Sequence, residues 1–276
     1  MVHSIHEMQG YTIQVTDGKI GKVHDFLFDD AGWTVRYLVV DTGGWLSGRR
    51  VLISPIAIRA ARWNDQVIEV HLTRHQVEQS PGIETDKPVS RQKEIEYAGY
   101  YGYAPYWNGL GVWGAGVYPG AMHPVVKPLP AGAPVNRTEH QGTPAVKPLP
   151  AGAPVDRLEH QGASTENAGD PHLRSTREVM GYTIQASDDS IGHVDDFMVD
   201  DDTWELRYMV VDTSTWLPGD HVLIAPSWIS NISWDESRVF VELPRATIEH
   251  APPFDLYTPV SPEYEARLHA YYQQSV

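Results

Sequence analysis

The pentapeptide GYTIQ occurs twice in this chain, at Gly10–Gln14 and again at Gly181–Gln185. The similarity extends well beyond these residues. At an offset of 171, 34 of the 72 residue pairs that start at Gly10 and end at Pro81 are identical, and the alignment needs no gap. The register still holds at Tyr100-Tyr101, which face Tyr271-Tyr272. Internal similarity of this extent indicates a duplicated unit of about 95 residues. We therefore expect two copies of one fold.

Each copy has the sequence pattern of a small all-β domain. Val35–Asp41 and Val51–Ile53 are rich in β-branched and aromatic residues, and Ile68–Leu72 alternates apolar with polar side chains. Turn formers such as Asp17-Gly18 separate these runs. About six strands fit before Arg74–Gln79, which the pattern predicts to be a helical turn. Such spacing implies a small barrel or sandwich. Closure into a barrel would remove the unpaired sheet edges that a unit of this size could not otherwise protect.

Several short motifs in both copies resemble the PRC-barrel domain family. In the first copy they are Ile20-Gly21, Asp25-Phe26, Arg36-Tyr37, Val39–Asp41 and Val51–Pro55, and each has a counterpart 171 residues later. The resemblance implies two PRC-type β-barrels joined by an extended linker. The family includes the cytoplasmic domain of the photosynthetic reaction-centre H subunit, a domain of a ribosome-maturation factor and many two-copy bacterial proteins of unassigned role. In its understood members the barrel is a docking module, so the resemblance implies no enzymatic activity.

The composition predicts five segments along the chain. They are a first barrel (1–83), a Tyr/Gly/Trp-rich segment (84–126), a Pro-rich tandem-repeat linker (127–177), a second, acidic barrel (178–254) and a C-terminal tail (255–276). The linker contains the sequence VKPLPAGAPV twice. Proline at this density favours an extended, semi-rigid chain rather than a packed core.

Residues 97–126, called the aromatic strip below, contain no Asp, Glu, Lys or Arg. Three interpretations remain open from sequence: packing against the strip's own barrel, docking to a partner or membrane surface, and disorder. We predict the docking role for a set of Tyr and Trp side chains, which combine an apolar ring with a polar tip. They are Tyr100, Tyr101, Tyr103, Tyr106, Trp107, Trp113 and Tyr118.

The negative charge of the chain is concentrated in the second copy. Residues 178–254 contain 15 Asp/Glu and 3 Lys/Arg, a net charge of −12 out of −15 for the whole chain. Phosphate backbones are bound mainly through Lys and Arg, so the sequence argues against direct nucleic-acid binding by this segment.

The residues that could take part in catalysis or in metal or cofactor binding lack the sequence context of such a site. The chain has no cysteine, and its 13 histidines show no ligand spacing. Gly109–Gly114 matches GxGxxG but lacks the flanking strand and helix of a dinucleotide site. The acidic cluster of Asp195-Asp196 with Asp200–Asp202 has the composition of a cation site, although Asp is also a common turn former. We therefore predict no catalytic residue, cofactor, metal or small-molecule substrate.

Arg36 and its counterpart Arg207 are the remaining candidates, either as a ligand clamp or as members of an internal ion pair. The preferred interpretation is an ion pair with Asp41 or Asp25, or with their copies, because buried arginine is commonly paired.

The function predicted from sequence is that of a non-enzymatic scaffold or accessory subunit that docks on a larger assembly. The family resemblance makes the cytoplasmic side of a membrane-bound photosynthetic reaction centre the first choice. The alternatives are a ribosome-maturation or RNA-processing adaptor and a free-standing stress or sensor protein. The N-terminal sequence has no signal-peptide pattern, and no apolar run is long enough to span a membrane. We expect a cytoplasmic protein, with peripheral contact to the inner membrane left open.

Overall fold

The structure is a computed structural model that describes residues 1–46, 48–82, 89–107, 111–114, 116–119, 173–213, 221–256 and 258–275. Residues 127–172 of the predicted linker (127–177) therefore lie outside the described residues. The described strands are β1 Val2–Ser4, β2 Thr12–Val15, β3 Gly18–Asp29, β4 Thr34–Asp41, β5 Arg50–Ile53, β6 Ile58–Arg62, β7 Val67–Val70, β8 Leu173–Ser175, β9 Thr183–Gln185, β10 Ser190–Asp200, β11 Leu206–Asp212, β12 His221–Ile224, β13 Ile229–Ser233 and β14 Arg238–Val241. The described α-helices are α1 Ile5–Met8, α2 Arg74–Glu78, α3 Arg91–Tyr101, α4 Thr176–Val179, α5 Arg245–Glu249 and α6 Pro262–Ser275.

The strands form two seven-stranded sheets with the same internal order. Sheet 1 runs β5-β4-β3-β2-β7-β6, and sheet 2 runs β12-β11-β10-β9-β14-β13. Each order contains one parallel pair, β2 with β7 and β9 with β14. We call the two copies unit 1 and unit 2. The strand-rich fold expected from sequence is confirmed.

The prediction of closed barrels is wrong, because both sheets are open. In sheet 1 the described strands β5 and β6 stand at opposite ends of the hydrogen-bonded order. The edge of β5 is covered by a side chain instead. The Tyr97 hydroxyl of α3 donates to Leu52 O (3.1 Å) and accepts from Ser54 N (3.0 Å). In unit 2 the Tyr272 hydroxyl of α6 donates to Leu223 O (3.2 Å). A C-terminal helix thus protects the edge that barrel closure was expected to remove.

Glycine at one position of each unit allows two strands to approach closely. A Cβ atom at Gly21 would lie 2.1 Å from Asp41 O, and one at Gly192 would lie 2.0 Å from Asp212 O. Any side chain here would separate β3 from β4, or β10 from β11. This explains the Ile-Gly motif that both copies contain.

Each unit completes the sheet of the other. Strand β1 pairs antiparallel with β10 of unit 2, with Val2 facing Asp200. Strand β8 pairs antiparallel with β3 of unit 1, with Leu173 facing Asp29. Each sheet therefore has six strands of its own unit and one from the other. Strand β8 and helix α4 lie within residues that composition had assigned to the linker and the start of the second barrel.

A buried aspartate anchors each segment that one unit contributes to the other. These exchanged segments are β8 with α4, on unit 1, and β1 with α1, on unit 2. Asp25 accepts hydrogen bonds from Ser175 Oγ (2.6 Å), Thr176 Oγ1 (3.1 Å) and the Arg177 backbone N–H (3.2 Å). Its counterpart Asp196 accepts from Ser4 Oγ and from the His6 backbone N–H (2.9 Å). The first N–H groups of a helix have no partner within the helix, and a carboxylate satisfies them with strong, charge-assisted bonds.

The two units meet around an approximate two-fold axis. Thr34 and Glu205, which are 171 residues apart, form an antiparallel bridge. On either side of it, Val35 N donates to Trp204 O (2.8 Å) and Leu206 N donates to Trp33 O (2.7 Å). The buried side chains of both units form one continuous hydrophobic cluster. The two copies thus fold as a paired structure with a shared core.

We expect Asp25→Ala and Asp196→Ala each to lower the free energy of unfolding by about 2–4 kcal/mol. Each substitution leaves two or more buried or partly buried donors without this acceptor, at about 1–3 kcal/mol for each group. Chemical denaturation measures the effect. Asp65→Ala is the control, because the Asp65 side chain is 62% exposed. Equal stability of all three variants would show that the anchors contribute nothing.

The stability of the protein should also depend on pH through Asp196. Burial raises the pKa of Asp196 to about 6 against the hydrogen bonds from Ser4, His6 and Phe197, which lower it. The native carboxyl therefore keeps its proton to a higher pH than the unfolded one, so its contribution to stability declines as pH rises from about 4 to 6. Relative to Asp196→Asn, the wild type should lose about 2–3 kcal/mol over this range, at roughly 1.4 kcal/mol per pKa unit. The measurement is the free energy of unfolding of both proteins at several pH values. A constant difference between them from pH 4 to 7 would contradict this prediction.

Candidate docking site

Helix α3, whose last turn begins the aromatic strip, packs against unit 1 together with the described residues that follow it. Ser90 Oγ accepts from Lys93 N at the start of the helix, and Gly102 ends it in the left-handed region at φ 70°. Tyr97, Tyr101 and Tyr103 are buried side by side, with the rings of Tyr101 and Tyr103 stacked at 5.4 Å. Burial raises the pKa of Tyr101 and of Tyr103. This part of the strip is core of unit 1.

Beyond Tyr103 the strip encloses Arg36. The Arg36 guanidinium lies 4.0 Å from the ring centroid of Tyr106 and 5.0 Å from that of Trp113. It also donates to Val112 O (2.5 Å) and forms an ion pair with Asp29 (3.1 Å). The prediction that Arg36 pairs with Asp41 or Asp25 is wrong. Its ion-pair partner is Asp29, and Asp25 instead accepts hydrogen bonds from the start of helix α4. Arg36 acts as a clamp whose bound group is a segment of the same chain.

The hydroxyl of Tyr106 is fixed at the same place by two charged residues. It donates to Glu94 Oε1 (3.0 Å) and accepts from Arg91 Nη1 (3.2 Å). Burial, together with the charge of Glu94, raises the pKa of Tyr106, so the group stays a neutral donor. Arg91 in turn lies 4.1 Å from the ring centroid of Trp107. Trp113 reaches across to unit 2, where its Nε1 donates to Thr203 O (2.8 Å).

The seven aromatic residues predicted to dock differ widely in accessibility. Tyr101, Tyr103 and Trp113 are buried, and Tyr106 and Trp107 are half-buried. Tyr100 is 40% exposed and Tyr118 is 53% exposed. The described part of the strip therefore follows the interpretation in which it packs against its own unit. The docking role stays a prediction, and in this conformation it falls mainly to Tyr100 and Tyr118.

Unit 2 contains an open cleft where unit 1 is filled. Tyr106 touches Arg36, Arg91 and Glu94, whose counterparts are Arg207, Pro262 and Glu265. These three counterparts line a cavity of about 600 Å³. Its other walls come from β1, β10 and the segment before α6. Arg36 and Arg207 occupy equivalent positions in the sequence, but only the fold shows which of the two arginines is enclosed. We call this cavity the unit 2 cleft.

The acidic turn beside the cleft has structural partners. Asp200 Oδ1 accepts from the backbone N–H groups of Asp202 (3.0 Å) and Thr203 (2.9 Å), and Asp201 lies 3.3 Å from His3 Nε2. Burial opposes ionisation of Asp200, but these backbone bonds, the N-terminal ammonium and the Thr203 hydroxyl together lower its pKa. Asp200, Asp201 and Asp202 present carboxylate oxygens within 4.8 Å of one another. They also form the turn expected for Asp at such positions.

The glycine-rich motif of the strip forms a tight turn against unit 1. Gly111 pairs with Gly114, and Trp113 pairs with Gly116, in isolated antiparallel bridges. Gly109, the first residue of the motif, lies outside the described residues. The part of the motif that the structure describes serves to place Val112 and Trp113 at Arg36.

Comparison with known proteins gives one family. Residues 1–74 match the PRC-barrel domain. The match covers about a quarter of the chain, and it spans the strands from β1 to β7. No curated protein gives a significant match. A PRC-barrel domain favours a protein-interaction or scaffold module, which is the coarse form of the function predicted from sequence.

Replacing Tyr106 should destabilise the protein more than replacing an exposed aromatic residue of the same strip. We expect Tyr106→Ala to lower the free energy of unfolding by about 3 kcal/mol, because it exposes Arg36 and removes the hydroxyl from the buried Glu94. Tyr118→Ala is the matched control and should stay within about 0.5 kcal/mol of wild type. Thermal or chemical denaturation of the three proteins checks this. Similar effects of the two substitutions would show that the strip is loosely attached.

Proposed function

We propose that this chain is a non-enzymatic scaffold or accessory subunit that docks on a larger protein assembly. The PRC-barrel match over residues 1–74 supports an interaction module. The second support is the distribution of exposed apolar side chains. Among the described residues the large exposed ones are Met1, Ile95, Tyr100, Val117 and Tyr118, and four of these five lie on α3 or the strip. Exposed apolar side chains gathered on one segment are typical of an interaction surface.

Unit 2 is, in this proposal, a second PRC-type module. It shares strand order, strand exchange and the buried aspartate with unit 1. Its charge of −12 suits an outer face toward water or a basic protein surface rather than a phosphate backbone. We assign the docking contact to the near-neutral unit 1 and the exposed part of its strip.

For the identity of the assembly we propose a membrane-bound photosynthetic reaction centre, contacted from the cytoplasmic side. This step rests on the family resemblance alone. Within the described residues, none of the helices combines the length and the apolar character that crossing a bilayer requires.

Purification of the tagged chain from its source cells, followed by sedimentation, tests the docking function. We expect the wild type to sediment with a large particle, and we expect Ile95→Ser combined with Tyr118→Ser to release it without loss of stability. Ala266→Ser is the matched control, because Ala266 is exposed and lies 171 residues after Ile95. Pigmented membrane particles would identify the reaction centre, whereas ribosomal particles would favour the RNA-processing adaptor. Sedimentation of the wild type as a lone species would reject the docking function.

A further inference from the structure

The same cleft is present in both units, filled in unit 1 and open in unit 2, so the two can be compared directly. In unit 1, Tyr106 and Trp113 lie over Arg36, which is only 4% exposed, and Glu94 is fully buried. In unit 2, Arg207 is 45% exposed and Glu265 is 26% exposed. The aromatic segment accounts for the difference, since the arginine and the glutamate are at equivalent positions in the two units.

The unit 2 cleft has room and walls suited to a similar segment. Its volume of about 600 Å³ lies in the range of about 300–1,000 Å³ that is usual for ligand sites. Val2, Met198, Leu256 and Val260 supply apolar walls. Arg207 lies 3.8 Å from Glu265, so a cation and a carboxylate stand side by side, as Arg36 and Glu94 flank Tyr106 in unit 1. A planar guanidinium stacks on an aromatic ring, and a carboxylate accepts a phenolic hydroxyl.

The charges around the cleft restrict what can enter. The carboxylates of Glu7, Asp200 and Glu265 line it, against the cations of Arg207 and the Met1 ammonium. Pro262 stands where unit 1 has the cation Arg91. A segment with acidic flanks would meet these carboxylates unfavourably. A segment with neutral or basic flanks would complement them and would replace the missing arginine.

We propose that the unit 2 cleft binds a Tyr- or Trp-bearing segment of a partner protein, with neutral or basic flanks, in the way that unit 1 holds its own strip. This inference rests on the docking function proposed above and assigns a second contact, on the opposite unit from the strip. The bound ring lies over Arg207, and the cleft buries that arginine as unit 1 buries Arg36.

A synthetic peptide with the sequence of residues 103–113, YAPYWNGLGVW, is the direct probe, because its described residues, 103–107 and 111–113, fill the equivalent cleft of unit 1. Its binding to the intact chain is measured by fluorescence anisotropy of a labelled peptide. We expect saturable binding that becomes about tenfold weaker in Arg207→Gln, the size of one desolvated cation–π contact. Thr258→Trp, which places a bulky ring at the exposed mouth of the cleft, should abolish binding.

The controls separate the cleft from other sites. Arg62→Gln removes an arginine of unit 1 whose side chain is 46% exposed, and it should bind the peptide as the wild type does. A peptide in which the residues corresponding to Tyr106 and Trp113 are alanine should not bind. No binding to the wild type, or binding that Arg207→Gln and Thr258→Trp leave unchanged, would overturn the cleft site. Either result leaves the docking function intact, since that function is decided by sedimentation of the wild type and of the Ile95/Tyr118 variant.

Discussion

The structure depends on a carboxylate buried beneath the first turn of a helix from the other unit. Asp25 receives the start of α4, and Asp196 receives the start of α1. These contacts fix β8 on sheet 1 and β1 on sheet 2, so neither sheet is complete without the other unit. Because a buried carboxylate without donors is costly, each aspartate binds its unit to the exchanged segment. The shared core and the approximate two-fold axis follow from this exchange.

The same exchange makes the differences between the units informative. Both copies have the arginine, the glutamate and the strand order, yet Arg36 is enclosed by Tyr106 and Trp113, whereas Arg207 opens into a cleft. The described part of the strip has thus become a structural part of unit 1, and among its described residues Tyr100 and Tyr118 are left at the surface. A protein built in this way can contact an assembly through the exposed residues of one unit and through the open cleft of the other.

Much of the fold could be predicted from periodicity and turn residues. Predicted strands at Val35–Asp41 and Val51–Ile53 correspond to β4 and β5, and the predicted helical turn at Arg74–Gln79 corresponds to α2. Barrel closure could not be predicted reliably, because edge protection by Tyr97 is a contact between distant residues. The partner of Arg36 was also missed. Asp25, Asp29 and Asp41 are all near in sequence, and only the fold shows which of them the guanidinium reaches.

The duplication of one strand-rich unit can be read from the residues alone, since the repeat and its alternating pattern are local and do not depend on how the copies are arranged. The same holds for the charge on the second copy and for the aromatic residues after the first. The exchange of first strands, the burial of Asp25 and Asp196 as anchors, and the contrast between a filled and an open cleft are visible only in the folded chain. These features join residues up to about 200 positions apart, as in the contact of Met1 with Asp201. Contacts between residues so far apart in the chain produce no periodic pattern in the sequence.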